Sequence, residues 1–312
     1  MSPGLRSVVI LLSARLASAS SSSRARPATL DATAPPGANY ERAEFRLWYP
    51  EGAGRLRALV ILVPGSNEDG RAQVEDPFWR DLARRDGLGL VACHFTDKPH
   101  EQMFIEQYAD VSKGSGQALL DALRELAGRA GHPEIAQAPL LLWGMSAGGE
   151  FNYELVAWKP ERVIAFVVNK GNVYYTALAP AAARAVPGVL FTGEKDLEFR
   201  NRTIVGLFAL NRRAGALWAL AEEPGVAHEV GRSRDLAAVF FEEALARRLP
   251  AGTSTPRALA EETGFYGDLE TGLYQPVRDA KAPERSVAWL LSDRVARAWR
   301  SVVTGRPVDP SE

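Results

Sequence analysis

A serine between glycines is the residue of this chain best placed for nucleophilic chemistry. Residues 144–149 read Gly-Met-Ser-Ala-Gly-Gly, directly after the apolar run 140–143 and before a helix-compatible segment. This pattern is typical of a nucleophile elbow, a sharp strand-to-helix turn that exposes a serine hydroxyl at the end of a central strand. Glycine is needed two residues from Ser146 because a side chain there would clash in the strained turn. The alternative is an ordinary turn that holds an incidental serine.

A serine hydroxyl becomes a nucleophile only with a base beside it and an acid that orients the base. His228 is the only histidine after Ser146, and it follows the predicted last strand. Asp196 comes just past a short apolar strand, where α/β sites assemble, and Glu194 is the fallback acid. The order serine, acid, histidine is one in which triads occur. We therefore predict a Ser146–His228–Asp196 triad; the alternatives are a helix-capping aspartate and a surface histidine.

Two main-chain N–H groups are candidates for an oxyanion hole. One belongs to Ala147, directly after the serine, and the other to the loop that follows the strand ending at Val63. In that loop Ser66 is the first choice and Asn67 the second, because Gly65 before them allows close approach. The alternative is a common Pro-Gly turn. Candidate pocket residues are Asn67, Met145, Tyr174 and Tyr175, although core packing explains aromatic residues at least as well.

Strands and helices that alternate along the chain must position these residues. Continuous apolar runs at 58–63, 88–95 and 139–143 predict strands that are buried on both faces. A further strand at 45–49 alternates in polarity, as an edge strand does, and others are predicted at 163–168, 188–191 and 216–221. Helices are predicted at 77–85, 116–129, 151–158, 199–213, 236–248 and 286–303. This alternation predicts a mainly parallel sheet with right-handed crossovers.

Together these motifs resemble the α/β-hydrolase superfamily, nearest to dienelactone-hydrolase-like and polyhydroxybutyrate-depolymerase-like serine esterases. The resemblance spans about residues 40–250 and implies a mostly parallel sheet of about eight strands flanked by helices. It also implies hydrolysis of esters or related acyl bonds without a cofactor. Two departures leave the substrate class open. Many relatives have His-Gly in the oxyanion loop where this chain has Pro64-Gly65, and a dienelactone hydrolase has cysteine where this chain has Ser146.

Composition excludes several other classes of protein. Lys and Arg number 37 and Asp and Glu 38, so no charge excess points to nucleic acid or an anionic membrane. The single cysteine, Cys93, permits no intramolecular disulfide and no cysteine-based metal site. No metal-binding, dinucleotide-binding or phosphate-binding motif is present. We therefore predict no metal and no cofactor.

The 312 residues divide by pattern into three parts. Residues 1–36 are predicted to be a signal-like or flexible leader, 37–250 the catalytic domain, and 251–312 a C-terminal extension packed on the core. The leader favours export to the periplasm or outside the cell, with a cytoplasmic location as the alternative. The expected partner is a small or polymeric ester. The alternative functions are a serine peptidase, an acyltransferase or a catalytically silent binding protein. The sequence leaves the oligomeric state open.

Overall fold

An eight-stranded sheet forms the centre of the protein, with strand order β1-β2-β4-β3-β5-β6-β7-β8. The computed structural model describes residue 1, residues 29–280 and residues 285–309. From β4 through β8 neighbouring strands are parallel, while β1 and β2 are antiparallel to their neighbours. The strands of this sheet are β1 Thr29–Ala34, β2 Arg42–Trp48, β3 Ala58–Val63, β4 Leu88–Thr96, β5 Leu140–Met145, β6 Val163–Asn169, β7 Gly188–Gly193 and β8 Trp218–Glu223.

Helices cover both faces of the sheet. Their bounds are α1 Pro77–Asp86, α2 Ser115–Ala130, α3 Ala147–Trp158, α4 Ala181–Arg184, α5 Glu198–Arg213, α6 Ser233–Arg248 and α7 Asp293–Val303. Helices α2, α3 and α5 share one core with the sheet, and α1, α6 and α7 share the other. The predicted α/β-hydrolase fold, a mostly parallel sheet of eight strands flanked by helices, is confirmed.

The central strands are apolar along their length because helices cover both faces of the sheet. In β3 the side chains of Leu59 and Ile61 enter one core, while those of Val60 and Leu62 enter the other. Successive side chains of a strand point to opposite faces, so a strand covered on both faces must be apolar throughout. Because β3 and β5 to β8 are parallel, their carboxyl ends meet at one edge of the sheet, and the candidate site residues follow these ends.

Two sequence predictions at the amino-terminal side are wrong. The segment 18–36 was expected to be flexible, yet residues 29–34 form β1. The strand is fixed by its pairing with β2 and by an ion pair between Asp31 and Arg46 at 2.7 Å. These contacts join residues distant in the chain, and local composition does not report them. Strand β2, expected at the sheet edge, is internal because β1 covers it.

The C-terminal residues pack against the same core. Short strands β9 Phe265–Gly267, β10 Tyr274–Pro276 and β11 Ala288–Leu290 form a second sheet, with order β10-β9-β11. Helix α7 packs on α6 and β8, and the indole N–H of Trp299 donates to the Leu220 carbonyl at 2.7 Å. The single helix predicted over 286–303 is therefore wrong in its first part, where β11 pairs with β9.

No helix within the described ranges is long and apolar enough to cross a membrane. The signal-like stretch of the leader lies outside those ranges. The location of the protein therefore stays a prediction.

Candidate active site

Ser146 stands in the turn between β5 and α3 with a backbone conformation that side chains rarely adopt. Its φ is 53° and its ψ is −124°. The conformation is held from both sides, since the Ser146 N–H donates to the Asn169 carbonyl at 2.7 Å and the Ser146 carbonyl accepts from the Gly149 N–H at 2.8 Å. Strain of this kind persists where surrounding contacts enforce it, and it is common at functional sites.

Two of the glycines around Ser146 are required by close main-chain approach. A Cβ on Gly144 would lie 2.2 Å from the Gly148 carbonyl oxygen, and one on Gly148 would lie 2.1 Å from the Val63 carbonyl oxygen. Both distances are far inside van der Waals contact. The turn is therefore compatible only with glycine at these positions, as the sequence predicts.

A continuous chain of hydrogen bonds joins the three residues predicted as a triad. His228 Nε2 lies 3.0 Å from Ser146 Oγ, and His228 Nδ1 lies 2.8 Å from Asp196 Oδ2. His228 is carried by the loop between β8 and α6, and Asp196 by the turn between β7 and α5. The loops of Asp196 and His228 follow the adjacent strands β7 and β8, which explains how these two residues, 32 positions apart, come into contact.

Asp196 is held as a charged acceptor. Its side chain is 2% exposed, and Oδ1 accepts from the Leu197 N–H at 2.7 Å and from Arg200 at 3.1 Å. Burial alone would raise the pKa of Asp196, but the hydrogen bonds from His228 and Leu197 outweigh it and lower the pKa. The ionised carboxylate therefore fixes a proton on Nδ1 of His228 and leaves Nε2 free to accept one.

The fallback acid Glu194 faces away from His228. Its Oε2 accepts the Gly225 N–H, and the side chain is exposed. Glu194 therefore stabilises the start of the loop that carries His228 and does not contact the imidazole. Of the two candidate acids, Asp196 is the one that contacts the imidazole.

The loop after β3 lies beside the Ser146 turn because Val63 pairs with Gly144. Asn67 closes this loop with φ 57°, and its N–H donates to the Tyr108 hydroxyl at 3.3 Å. The Gly65 N–H donates to Glu68 at 3.2 Å. Among the described residues the Ser66 N–H has no acceptor, which leaves it available, as predicted. Asn67, the second choice, is already engaged.

The Ala147 N–H is the other predicted oxyanion donor, and Ala147 is the first residue of α3. The first N–H groups of a helix have no partner inside the helix and carry the positive end of its dipole. This helix end therefore favours a negative charge that develops beside Ser146.

A pocket of about 390 Å³ opens above Ser146. Met145 lines it, as predicted, together with the candidate oxyanion residue Ser66 and the candidate catalytic residues Ser146 and His228. The remaining lining residues are Gly65, Glu68, Phe104, Glu106 and Arg200. A larger cavity of about 790 Å³ lies at the opposite, amino-terminal ends of β3 and β5 and touches none of the triad.

Three residues predicted for the pocket lie outside its lining. Asn67 uses its side-chain oxygen to accept the Asp97 N–H at 2.7 Å. The ring of Tyr174 packs edge-on against Tyr153 at 5.0 Å. Tyr175 is 43% exposed, and its hydroxyl donates to the Glu106 carbonyl at 3.1 Å. The prediction for these residues is therefore wrong, since each is engaged in holding a loop or the core.

Arg200 and Glu106 are pocket residues that the sequence analysis missed. Arg200 lies four positions after Asp196, a spacing that brings side chains together on a helix and was a usable signal. Glu106 comes before a short 3-10 helix, Gln107–Ala109, and nothing in its sequence neighbourhood marks it. No group of three or more histidine, cysteine, aspartate or glutamate side chains within the described ranges could hold a metal ion.

Glu150 is a buried carboxyl group one helical turn after Ser146. It is 1% exposed; Oε1 accepts the Asn172 N–H at 2.6 Å, while Oε2 has no partner among the described residues. Burial, helped by the nearby charge of Glu106, raises the pKa of Glu150 from 4.5 to about 8. The group is therefore protonated at neutral pH and helps to hold the loop after β6.

This raised pKa predicts that stability falls as pH rises. Between pH 4.5 and 8 the unfolded chain releases the Glu150 proton while the folded protein keeps it, so alkali favours unfolding. Glu150→Gln removes this titration, and its stability relative to wild type should rise by up to about 3 kcal/mol between pH 5 and pH 8. Urea unfolding at both pH values measures this. The exposed variant Glu198→Gln is the control, and a pH-independent difference for Glu150→Gln would contradict the raised pKa.

Comparisons with known proteins give structural likeness alone. No protein-family profile and no curated protein matches the chain. The chain is similar in structure to LpqC, a poly(3-hydroxybutyrate) depolymerase from Bordetella parapertussis, with 19% identity, TM-score 0.47, and coverage of 64% of this chain and 83% of that one. It is also similar to esterase PE8, with 20% identity, a TM-score of 0.47, and coverage of 64% of this chain and 97% of that one. An esterase from Pyrobaculum calidifontis is similar with 16% identity and a TM-score of 0.48, and the match covers 70% of this chain and 84% of that one.

Proposed function

We propose that the protein is a serine hydrolase that cleaves carboxylic esters through an acyl-enzyme on Ser146. The hydrogen-bonded chain from Ser146 through His228 to Asp196 carries this proposal. A surface serine and histidine would not be expected to align with a buried carboxylate at 3.0 and 2.8 Å, next to a strained turn and a pocket.

The geometry supports the following sequence of steps. His228 Nε2 takes the Ser146 proton as Oγ bonds to the ester carbonyl carbon, and Asp196 stabilises the imidazolium. The N–H groups of Ala147 and Ser66 bind the oxyanion. The imidazolium then gives its proton to the leaving alcohol, which departs and leaves the acyl group on Ser146. Water attacks this acyl-enzyme and loses a proton to Nε2. Nε2 then returns the proton to Ser146 Oγ as the bond to the acyl carbon breaks, which releases the carboxylic acid and restores the Ser146 hydroxyl.

A fluorophosphonate probe tests this assignment directly. The probe should form one covalent adduct with the folded protein, located on the Ser146 peptide by mass spectrometry, because only an activated serine displaces its fluoride. Ser146→Ala should remain unlabelled. Ser66→Ala is the matched control and should still be labelled, since only the main-chain N–H of that residue is used. A folded wild-type protein that takes no label would favour a silent binding protein.

Ester and amide substrates separate the related reactions. Hydrolysis of p-nitrophenyl esters without cleavage of peptide anilides is the expected result for the proposed esterase. Faster cleavage of anilides would instead identify a peptidase, which uses the same machinery on a poorer leaving group.

A further inference from the structure

The wall of the pocket above Ser146 carries an excess of negative charge. Its ionisable wall residues, apart from His228, are Glu68, Glu106 and Arg200. The single guanidinium donates through Nη1 to Asp196 at 3.1 Å and packs 5.5 Å from the ring centre of Phe104. Two glutamates therefore share the pocket wall with one guanidinium, and that guanidinium is paired with Asp196.

Glu106 is the more confined of these two glutamates. The residue is only 8% exposed, and no hydrogen bond or ion pair of its carboxylate is seen among the described residues, although its oxygens are not fully enclosed. Burial of a carboxylate without a partner is costly, so natural proteins pair nearly all of them. Glu150, the acidic neighbour, is protonated at neutral pH and supplies no counter-charge.

The main chain around Glu106 is held by hydrogen bonds, and the residue lies in the wall of the pocket. The Glu106 carbonyl accepts from the Tyr175 hydroxyl and from the Ala109 N–H, both at 3.1 Å. On the preceding side, the Phe104 carbonyl accepts from the Asn172 side chain at 3.3 Å. The site is thus built before any substrate arrives, which is the condition for selective binding.

We propose that Glu106, with Glu68 at the more exposed side, forms a subsite for a positively charged group of the substrate. The substrate class would be esters that carry an alkylammonium group close to the scissile carbonyl. An ammonium would supply the counter-charge that Glu106 lacks, while a neutral group would leave the carboxylate unpaired. This subsite rests on the proposed ester hydrolysis at Ser146.

Two isosteric substrate pairs test the subsite. On the acyl side, p-nitrophenyl 4-(trimethylammonio)butanoate is compared with p-nitrophenyl 5,5-dimethylhexanoate; on the alcohol side, butyrylcholine is compared with 3,3-dimethylbutyl butanoate. Each pair differs only in nitrogen versus carbon, so shape is constant. We expect kcat/KM to be about tenfold higher for the cationic member of at least one pair, the effect of one partly desolvated charge pair.

Glu106→Gln should reduce the ratio of kcat/KM between the cationic and the neutral member of that pair to about one. Glu101→Gln is the matched control, because it removes the same charge from an exposed position of the same loop. The subsite is refuted if wild type prefers the neutral members, if the preference survives Glu106→Gln, or if p-nitrophenyl glutarate is the better substrate. Failure of the proposed function looks different, since then neither neutral ester is cleaved and Ser146 takes no fluorophosphonate.

Discussion

Replacing Asp196 with asparagine should lower kcat for ester hydrolysis about 10⁴-fold, the size that the wrong histidine tautomer costs in a serine–histidine–aspartate triad. The reason lies in the three donors that face this carboxylate. Leu197 and Arg200 donate to Oδ1, and His228 donates to Oδ2. The asparagine amide has one acceptor oxygen and one NH2 group. Its NH2 group must therefore face an N–H donor, either on the side of Leu197 and Arg200 or on the side of His228.

The better compromise turns the amide NH2 toward His228. The oxygen then still accepts from Leu197 and Arg200, but Nδ1 of His228 must become the acceptor and its proton moves to Nε2. An imidazole that carries its proton on Nε2 cannot take one from Ser146. Asp196→Asn should therefore bind substrate with little change in KM, remain folded, and lose turnover.

The matched control for this variant is Glu194→Gln, two residues earlier in the same turn. Glu194 contacts the Gly225 N–H and not the imidazole, and a glutamine oxygen keeps that contact. We expect kcat within about threefold of wild type, as for other surface substitutions away from a site. Steady-state kinetics with a p-nitrophenyl ester measures both variants. A large loss in Glu194→Gln together with an active Asp196→Asn would move the acid to Glu194.

Features predicted correctly from the sequence are those that short segments encode. Residues 58–63 are apolar throughout because β3 is buried on both faces, and its bounds were predicted to the residue. The turn at Ser146 was predictable because its conformation requires glycine at 144 and 148. His228 was found by elimination, since the order of a triad left one histidine. These signals are local, or depend on chain order alone.

The features that sequence analysis missed depend on contacts between distant segments. β1 is a strand because β2 pairs with it, although its composition resembles a flexible leader. The pocket prediction favoured Tyr174 and Tyr175 for their chemistry, but the pocket wall is set by loops whose relative positions the sequence does not give. Glu106 could not be singled out from the sequence because only the fold places it in the wall of the pocket that Ser146 also lines.

Lys170→Met should destabilise the protein by about 3–5 kcal/mol, because it leaves the carboxylate of Glu223 buried without its counter-charge. Both side chains of this ion pair are 0% exposed. Lys170 follows β6 with φ 56°, and its ammonium donates to Glu223 and, at 3.0 Å, to Asn169. Burial lowers the pKa of Lys170, although the attraction of Glu223 opposes the shift.

A double variant separates the ion pair from general damage to the core. Lys170→Met/Glu223→Gln removes both charges, and glutamine can still accept the Arg232 N–H that Glu223 binds at 2.6 Å. Because no buried charge remains, we expect it to recover most of the lost stability in urea unfolding. Arg202→Met, which breaks an exposed pair with Glu198, should cost less than about 1 kcal/mol. A double variant less stable than Lys170→Met would contradict this account.

The same network predicts a loss of turnover in molecules that remain folded. Asn169 contacts both the turn of Ser146 and the loop of His228. Its carbonyl accepts the Ser146 N–H, and its side chain donates to the Val230 carbonyl in the loop of His228 at 3.1 Å. Lys170 holds the Asn169 side chain, and Glu223 holds the far end of that loop. In Lys170→Met at low temperature, where the protein stays folded, kcat should fall while KM for a neutral ester changes little, because misalignment of His228 impairs proton transfer more than binding. A purely structural ion pair would lower stability and leave kcat per folded molecule unchanged.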